Sequence, residues 1–322
     1  MANKRSFLID TDTASDDAVA LVMALRSGDV EVKAITVVAG NVNLEQATAN
    51  ALFSAEMCGG DVPVFKGAAR PLIRAHEDAS WFHGVDGMGN QHYPPAKRAA
   101  QAGHAVDAII EICNSTPGLT LVTLGPLTNI ALALSRAPQI AQNIARCIVM
   151  GGAPCCEGNV TPAAEYNIWV DPEAAEIVFR SAMKIEMVGW QLSREEAALS
   201  EGEIEQALKL GTPLARFAID CNRTAIESFH RQTRYRGLGL PDPVAMAVAL
   251  DPTIVTSKSD HLVEIETSSS LTRGMTVVDR LNVASDPRNA PDWPGASMRR
   301  RCTIVWGIDI PKWKKLLMDR LV

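Results

Sequence analysis

Four carboxylates lie within eight residues near the start of the chain, in the stretch DTDTASDD that runs from Asp10 to Asp17. Like charges at this spacing repel one another, and a divalent cation bound by their oxygens would offset the repulsion. Ala14 and Ser15 stand where a calcium-binding EF-hand loop needs a ligand and a glycine, so that type of site is excluded. The stretch therefore indicates a Ca²⁺ or Mg²⁺ site of another kind.

Two other interpretations of the acidic stretch stay open at this point. Phosphatases of the haloacid dehalogenase type have a strand ending in D-x-D-x-[TV], and LIDTDTA departs from that pattern only at Ala14. Helix capping would account for Asp16 and Asp17, because a helix N-terminus favours negative charge. Capping does not account for Asp10 and Asp12.

The elements around these residues alternate between strand-like and helical patterns. Apolar runs such as VEVKAITVVAG, LTLVTLG and ARCIVMGG are separated by helical patterns such as LEQATANALFSAEMCG and LTNIALALSRA. This alternation predicts an α/β fold with a Rossmann-like, mostly parallel sheet and helices on both faces. Residues 201–234 predict two helices and residues 241–250 one more. No linker or repeat divides the chain, so we expect one domain over residues 1–322.

Polar segments follow several of the predicted strands. The acidic stretch, AGN at 39–41, LGPLTN and MGGAP all occupy such positions. In open α/β sheets, ligands bind beyond the carboxyl ends of the strands. Two long irregular stretches, residues 69–99 and 151–171, also follow strands, and long loops in compact proteins usually carry function. We therefore expect the functional site at this edge of the sheet.

Composition argues against several classes of protein. The 322 residues are 47% hydrophobic and 21% charged, with a net charge of −6 and no long basic stripe, so we expect no nucleic-acid partner. No apolar run reaches about 18 residues, the length of a membrane span. The seven cysteines are irregularly spaced, and we expect no targeting segment before the first strand. Free thiols in a reducing cytoplasm fit that pattern.

Four motifs together resemble the inosine–uridine nucleoside hydrolase family. DTDTASDDAVAL resembles the family's signature D-x-D-x-G-x-D-D-A-x-A-L, with Ala14 in place of glycine. VTLGPLTNIALAL at 122–134 resembles the central G-P-L-T-N segment, and GNVTPAAEYN at 158–167 resembles the ribose-binding loop. FHGVDGMG at 82–89 resembles a further family loop. The resemblance covers most of the chain. It implies a Ca²⁺-dependent enzyme that hydrolyses ribonucleosides to ribose and a free base, and a homodimer or homotetramer.

The resemblance also implies roles for individual residues. The expected Ca²⁺ ligands are Asp12, Asp17, Asp242 and the backbone carbonyl of Leu124, with Asp12 also the general base that deprotonates the attacking water. Asp10 is expected to orient these ligands without touching the metal. The expected ribose contacts are Asp16, Asn41, Asn159, Glu165 and Asn167, and Asn167 also lies near the charge that develops on the sugar. An alternative for Asp242 is a helix N-cap with proline at the first helical position.

The sequence differs from the family pattern at the residue expected to assist the departing base. Many members carry histidine or tryptophan directly before the distal metal aspartate, and this sequence has Pro241 there. His83 is then the candidate acid for the leaving base, while His230 lies in a polar segment that precedes Pro241. Trp81 and Trp169 are candidates for stacking on the base. A module that binds metal and ribose without efficient turnover is the alternative outside the enzyme class.

Overall fold

The computed structural model describes residues 4–322. Its strands are β1 (Arg5–Thr11), β2 (Val30–Val37), β3 (Val64–Lys66), β4 (Leu119–Thr123), β5 (Ile144–Met150), β6 (Ile185–Val188), β7 (Leu199–Ser200), β8 (Gly237–Leu238), β9 (Val255–His261), β10 (Val263–Ile265), β11 (Thr276–Val278) and β12 (Cys302–Ile308). Its helices are α1 (Ser15–Leu25), α2 (Leu44–Met57), α3 (Ser80–His83), α4 (Ala105–Ser115), α5 (Thr128–Arg136), α6 (Ile140–Asn143), α7 (Tyr166–Val170), α8 (Pro172–Phe179), α9 (Glu201–Lys209), α10 (Pro213–Asp220), α11 (Arg223–Thr233), α12 (Pro241–Leu250) and α13 (Ile310–Arg320).

Eight strands form one sheet in the order β3-β2-β1-β4-β5-β6-β12-β9. Every neighbouring pair is parallel except β12 and β9, which confirms the predicted α/β fold with a mostly parallel sheet. The chain adds β2 and β3 on one side of β1, and then β5 and β6 beyond β4 on the other. The direction of winding therefore reverses between β1 and β4. In open α/β sheets a ligand site lies at such a reversal, outside the carboxyl ends of the strands.

Helices cover both faces of this sheet. On one face α1, α2, α10, α12 and α13 contribute to the larger apolar core, and on the other α4, α5 and α8 contribute to the second. Helix α1 is buried from Ser15 to Ala24 because it lies between α2 and α12. That position explains its almost uniformly apolar sequence. Residues 4–322 contain no helix that is both long and apolar enough to cross a membrane.

The helix starts nearest the site are fixed by local hydrogen bonds. The Asp17 carboxylate accepts the Ala14 N–H at 2.9 Å and closes the first turn of α1. Asp171 accepts the Ala174 N–H at 3.1 Å, and Pro172 takes the first position of α8, where its missing N–H costs no hydrogen bond. These bonds fix the orientation of both helices where they leave the carboxyl edge of the sheet.

Residues 201–233 form the three helices α9, α10 and α11, so the prediction of two helices in this segment was wrong. The additional break falls at Asn222. Its Nδ2 donates to the Ala218 carbonyl at 2.9 Å and to the Ser15 carbonyl at 3.3 Å. A side chain that bonds the backbone in this way competes with continuation of the helix. The two long irregular stretches are also interrupted, by α3 and α7.

Candidate active site

A cleft opens at the carboxyl edge of the sheet, the place where ligands bind in open α/β sheets. Its polar lining residues are Asp16, Asn41, His83, Asn159, Glu165, Asn167, Ser193, Gln232 and Asp242. Its other lining residues are Ala79, Trp81, Phe82, Leu124, Met150, Val160, Tyr166, Trp190, Phe229, Gly239 and Pro241. Leu124 directly follows β4, and Asn41 and Trp190 lie a few residues beyond β2 and β6, so the predicted edge of the sheet carries the cleft.

Three carboxylates meet at the bottom of the cleft. Asp16 and Asp17 belong to the first turn of α1, Asp242 belongs to the first turn of α12, and these two helices pack together. One oxygen of each lies within 4.8 Å of the others, where two ionised carboxylates repel by roughly 3 kcal/mol at an effective dielectric constant of about 20. Burial raises the pKa of Asp16 and of Asp17 to about 6. Burial and the neighbouring aspartates hold the pKa of Asp242 well above its usual range.

Asp12 lies beside this group and is completely buried. Its Oδ2 accepts the Asn41 N–H at 2.6 Å, whereas its Oδ1 has no hydrogen-bond partner among the described residues. A Cβ atom added at Gly40 would overlap Oδ2, and one added at Gly125 would lie 2.6 Å from Oδ1. The carboxylate is therefore cradled between two glycines. Burial and the charge of Asp17 keep its pKa well above the usual range.

The donor set of this cluster fits a divalent cation. Buried oxygens of Asp12 and Asp16 lack hydrogen-bond donors within residues 4–322, and no lysine or arginine lines the cleft there. The Leu124 carbonyl opens into the same space and accepts Asn167 Nδ2 at 2.7 Å. Carboxylate and carbonyl oxygens are the ligands that hard cations prefer.

Asp10 lies in β1 below the cleft, paired in register with Thr36 and Thr123 on the flanking strands. Its Oδ2 accepts Thr36 Oγ1 at 2.6 Å and Asn129 Nδ2 at 2.9 Å. Burial raises the pKa of its carboxyl to about 7. Asp10 has no exposed surface, which agrees with a supporting position rather than contact with a ligand.

The predicted ribose loop places Asn159, Glu165 and Asn167 on one wall. Glu165 caps α7: its Oε1 accepts the Asn167 N–H at 2.9 Å and its Oε2 accepts the Gly152 N–H at 2.7 Å. Burial raises the pKa of Glu165 to about 7. Asn159 Oδ1 accepts the Tyr166 N–H at 2.9 Å. These side chains are thus fixed by backbone groups before any ligand is present.

His83 ends α3 and is buried in the opposite wall. Its Nδ1 lies 2.8 Å from Ser15 Oγ and 3.7 Å from Asp16 Oδ1. Burial lowers the pKa of the imidazole to about 4, so the ring is neutral at pH 7. The structure thus brings His83 to the acidic cluster.

Some sequence-based alternatives are wrong. Asp242 is not an N-cap, because α12 begins one residue earlier at Pro241 and Leu240 occupies the cap position. Trp169 lies outside the cleft lining, where the Arg273 guanidinium stacks on its ring at 4.0 Å. His230 is also outside the lining, with Nδ1 3.3 Å from the Tyr235 carbonyl.

The lining residues that were not predicted include Trp190, Ser193, Phe229 and Gln232. Trp190 lies two residues beyond the end of β6, so the rule that placed the other motifs at strand ends could have found it. Phe229 and Gln232 lie on α11, whose approach to the cleft depends on tertiary packing and leaves no local signal.

Comparisons with known proteins agree with this geometry. The sequence profile of the family described as inosine-uridine preferring nucleoside hydrolase matches residues 7–315. A pyrimidine-specific ribonucleoside hydrolase RihA from Salmonella gallinarum is 36% identical over 318 residues, which are 98% of this chain and 97% of that protein. An inosine-uridine preferring nucleoside hydrolase from Leishmania major is 38% identical over 280 residues, 85% of this chain and 88% of its own length.

Solved structures show the same relationship. A plant nucleoside hydrolase, PpNRh1, superposes with a TM-score of 0.91 at 31% identity and covers 98% of both chains. A purine-preferring ribonucleoside hydrolase from Gardnerella vaginalis superposes with a TM-score of 0.87 at 32% identity and also covers 98% of both. With the profile match over nearly the whole length, these similarities show that the chain belongs to the inosine-uridine preferring nucleoside hydrolase family.

Proposed function

We propose that the protein hydrolyses the N-glycosidic bond of ribonucleosides in a Ca²⁺-dependent reaction and releases ribose and a free nucleobase. The observation that carries this proposal is the buried carboxylate cluster at the bottom of a cleft that is also lined by amide and aromatic side chains. The activities named for the relatives support it, since all concern nucleosides.

The proposed cation site consists of Asp12, Asp17, Asp242 and the backbone carbonyl of Leu124, with Asp10 in support. Such an all-oxygen set, rich in ionised carboxylates, favours Ca²⁺ over softer metals. When bound, the cation supplies the positive charge that the cluster lacks and makes water more acidic. The two glycines that cradle Asp12 allow its carboxylate to lie against the backbone of both flanking loops.

Asp12 is the proposed general base. Its Oδ2 is occupied by the Asn41 N–H, so Oδ1 remains to accept a proton from the water that attacks the anomeric carbon. The sugar gains positive charge as its bond to the base breaks. The surrounding buried carboxylates favour that charge.

The proposed ribose contacts are Asp16, Asn41, Asn159, Glu165 and Asn167. All five line the cleft, and fixed polar groups of this kind orient the reacting carbon. Asn167 donates from Nδ2 to the Leu124 carbonyl, while no described residue donates to its Oδ1. That oxygen is the negative end of the amide dipole, and we propose that it stabilises the positive charge that develops on the sugar.

His83 is the proposed donor to the departing base. Because its buried ring is neutral, it donates a hydrogen bond rather than acting as a charged imidazolium. Pro241 lines the cleft and offers no donor of its own. Trp81, Trp190 and Phe229 provide aromatic surface on which a flat base could stack.

A panel of purine and pyrimidine nucleosides, assayed for reducing sugar with and without a chelator, tests the proposal. Both base classes belong in the panel because the relatives' stated preferences differ. We expect hydrolysis that the chelator abolishes and added Ca²⁺ restores. Hydrolysis that persists after complete metal removal would contradict the mechanism. Binding of ribose without turnover of any nucleoside would favour the binding module instead.

We further propose that the protein acts in the cytoplasm as a homodimer or homotetramer. All seven cysteines are free, and several are buried, as expected where thiols stay reduced. Light scattering on the purified protein and fractionation of the source cells test the two statements. A monomer, or a protein found outside the cytoplasm, would contradict the respective statement.

A further inference from the structure

Helix α11 contacts both of the long loops that border the cleft. Ser228 Oγ donates to the Trp81 carbonyl at 3.3 Å, and Gln232 Nε2 donates to the Asn159 carbonyl. Ser228 and Gln232 are four residues apart and so project from the same face of the helix. One helical face therefore spans the two walls of the cleft.

Asn159 is fixed at three points, and only one of them comes from outside its own loop and α7. Its N–H donates to the Ala164 carbonyl at 3.1 Å, and its Oδ1 accepts the Tyr166 N–H at 2.9 Å. The third point is the bond from Gln232 to its main-chain carbonyl. Among the described residues, Asn159 Nδ2 finds no acceptor, so this donor is left for a ligand in the cleft.

The same loop is attached independently at Glu157. Trp190 Nε1 donates to the Glu157 carbonyl at 2.8 Å, and the Arg194 guanidinium pairs with the Glu157 carboxylate. Gln232 therefore acts at the Asn159 end, while the tryptophan and arginine act two residues earlier. Losing the glutamine bond would release the end of the loop that carries the ribose contact and leave the other end attached.

We infer that Gln232 is a positioning residue: it holds the Asn159 main chain so that the Asn159 amide is presented to the ribose. The inference rests on the ribose role proposed above for Asn159. Gln232 also lines the cleft, so direct contact with the base is the competing explanation. The two explanations differ for a ligand that has a ribose and no base.

D-ribose is therefore the probe. Gln232→Met keeps the side-chain length and removes the donor. Glu227→Met places the same side chain at an exposed position on α11 whose native side chain donates no hydrogen bond. Calorimetric titration in Ca²⁺ buffer is expected to show ribose binding weakened roughly 3- to 10-fold by Gln232→Met, the worth of one hydrogen bond. Glu227→Met should leave it unchanged. Both side chains are exposed, so both variants are expected to fold.

A double-mutant cycle completes the test. In an Asn159→Ala background, Gln232→Met should change ribose binding by less than about twofold, because the group that it positions is gone. Equal effects with and without Asn159, or wild-type ribose affinity in Gln232→Met with a raised KM for nucleosides, would overturn the inference. Turnover by the wild-type protein is scored separately, so failure of the proposed function is distinguished from failure of this inference.

Discussion

The two oxygens of the Asp12 carboxylate have different surroundings, and this asymmetry defines its chemistry. One accepts a backbone N–H and the other is buried without a partner in the described residues. A carboxylate fixed by one oxygen keeps its orientation while the other remains basic. Neither oxygen is held by a positive side chain, so proton affinity stays high, in agreement with its raised pKa.

Asp12→Asn should abolish turnover and leave the fold intact. The amide oxygen can still accept the Asn41 N–H, but the amide nitrogen cannot accept a proton from water. We expect kcat to fall about 10²- to 10⁴-fold, the usual worth of a general base. Circular dichroism and melting temperature report the fold, and Ca²⁺ titration reports the metal. Near-normal kcat with bound Ca²⁺ would remove Asp12 from the base role.

Much of the site could be anticipated residue by residue. The acidic stretch and the distal Asp242 were assigned to one cluster by their motifs, and the structure brings Asp16, Asp17 and Asp242 together. Glu165 and Asn159 were expected only as ribose contacts, yet both also bond backbone amides of α7. Those bonds depend on how the loop folds back, which side-chain type alone does not specify.

At the scale of elements, the loops that follow β2 and β4 shape the surroundings of the Asp12 carboxylate as much as β1 does. The glycine that cradles Asp12 on one side lies just beyond β2, and the other lies just beyond β4. Any side chain there would enter the space of the carboxylate. Close approach to the Asp12 carboxylate therefore requires glycine at both positions. Neither glycine has a positive φ, so backbone conformation does not require it.

Gly125→Ala should displace the Asp12 carboxylate and weaken both Ca²⁺ binding and kcat. The added methyl group would lie 2.6 Å from Oδ1, and crowding of this kind costs about 1–3 kcal/mol of stability. Gly202→Ala is the matched control, because that helical position is open and alanine favours the helix by about 0.5–1 kcal/mol. Denaturant unfolding and calorimetry measure both variants. Wild-type Ca²⁺ affinity in Gly125→Ala would show that the cradle does not matter.

Buried parallel strands and long helices were predictable from hydrophobic runs, whereas β9 and the α10–α11 break were not. β9 reads VTSKSDH and is largely polar because it forms the antiparallel edge of the sheet. The α10–α11 break depends on a hydrogen bond from Asn222 to Ser15, far away in the sequence. Edge exposure and distant partners are properties of the assembled fold, so a local pattern does not contain them.

For the whole molecule, the buried carboxyl groups of the site link folding to pH. Burial raises the pKa of Asp10 and Glu165 to about 7, from ordinary values of 3.8 and 4.5. Because these pKa values are raised by folding, the folded state binds more protons than the unfolded state at any pH between the ordinary and the raised pKa values. Stability of the metal-free protein is then greatest below the unfolded values and is lost as pH rises through about 7.

Accordingly, the chelated protein should melt at a higher temperature at pH 5 than at pH 8. Ca²⁺ added at pH 8 should restore stability, by about 2.7 kcal/mol at a concentration 100 times its Kd. Scanning calorimetry across this range, with Glu165→Gln as a variant of smaller pH slope, measures the effect. A chelated protein that gains stability from pH 5 to pH 8 would contradict the raised carboxyl pKa values.

The separation of the carboxylates along the chain has a consequence for biosynthesis. Asp12 and Asp17 are translated before Asp242, and β1 to β6 of the eight-stranded sheet also precede Asp242 in the chain. A nascent chain halted before α12 therefore carries the early carboxylates without the last one. The proposed cation site is thus completed only late in translation.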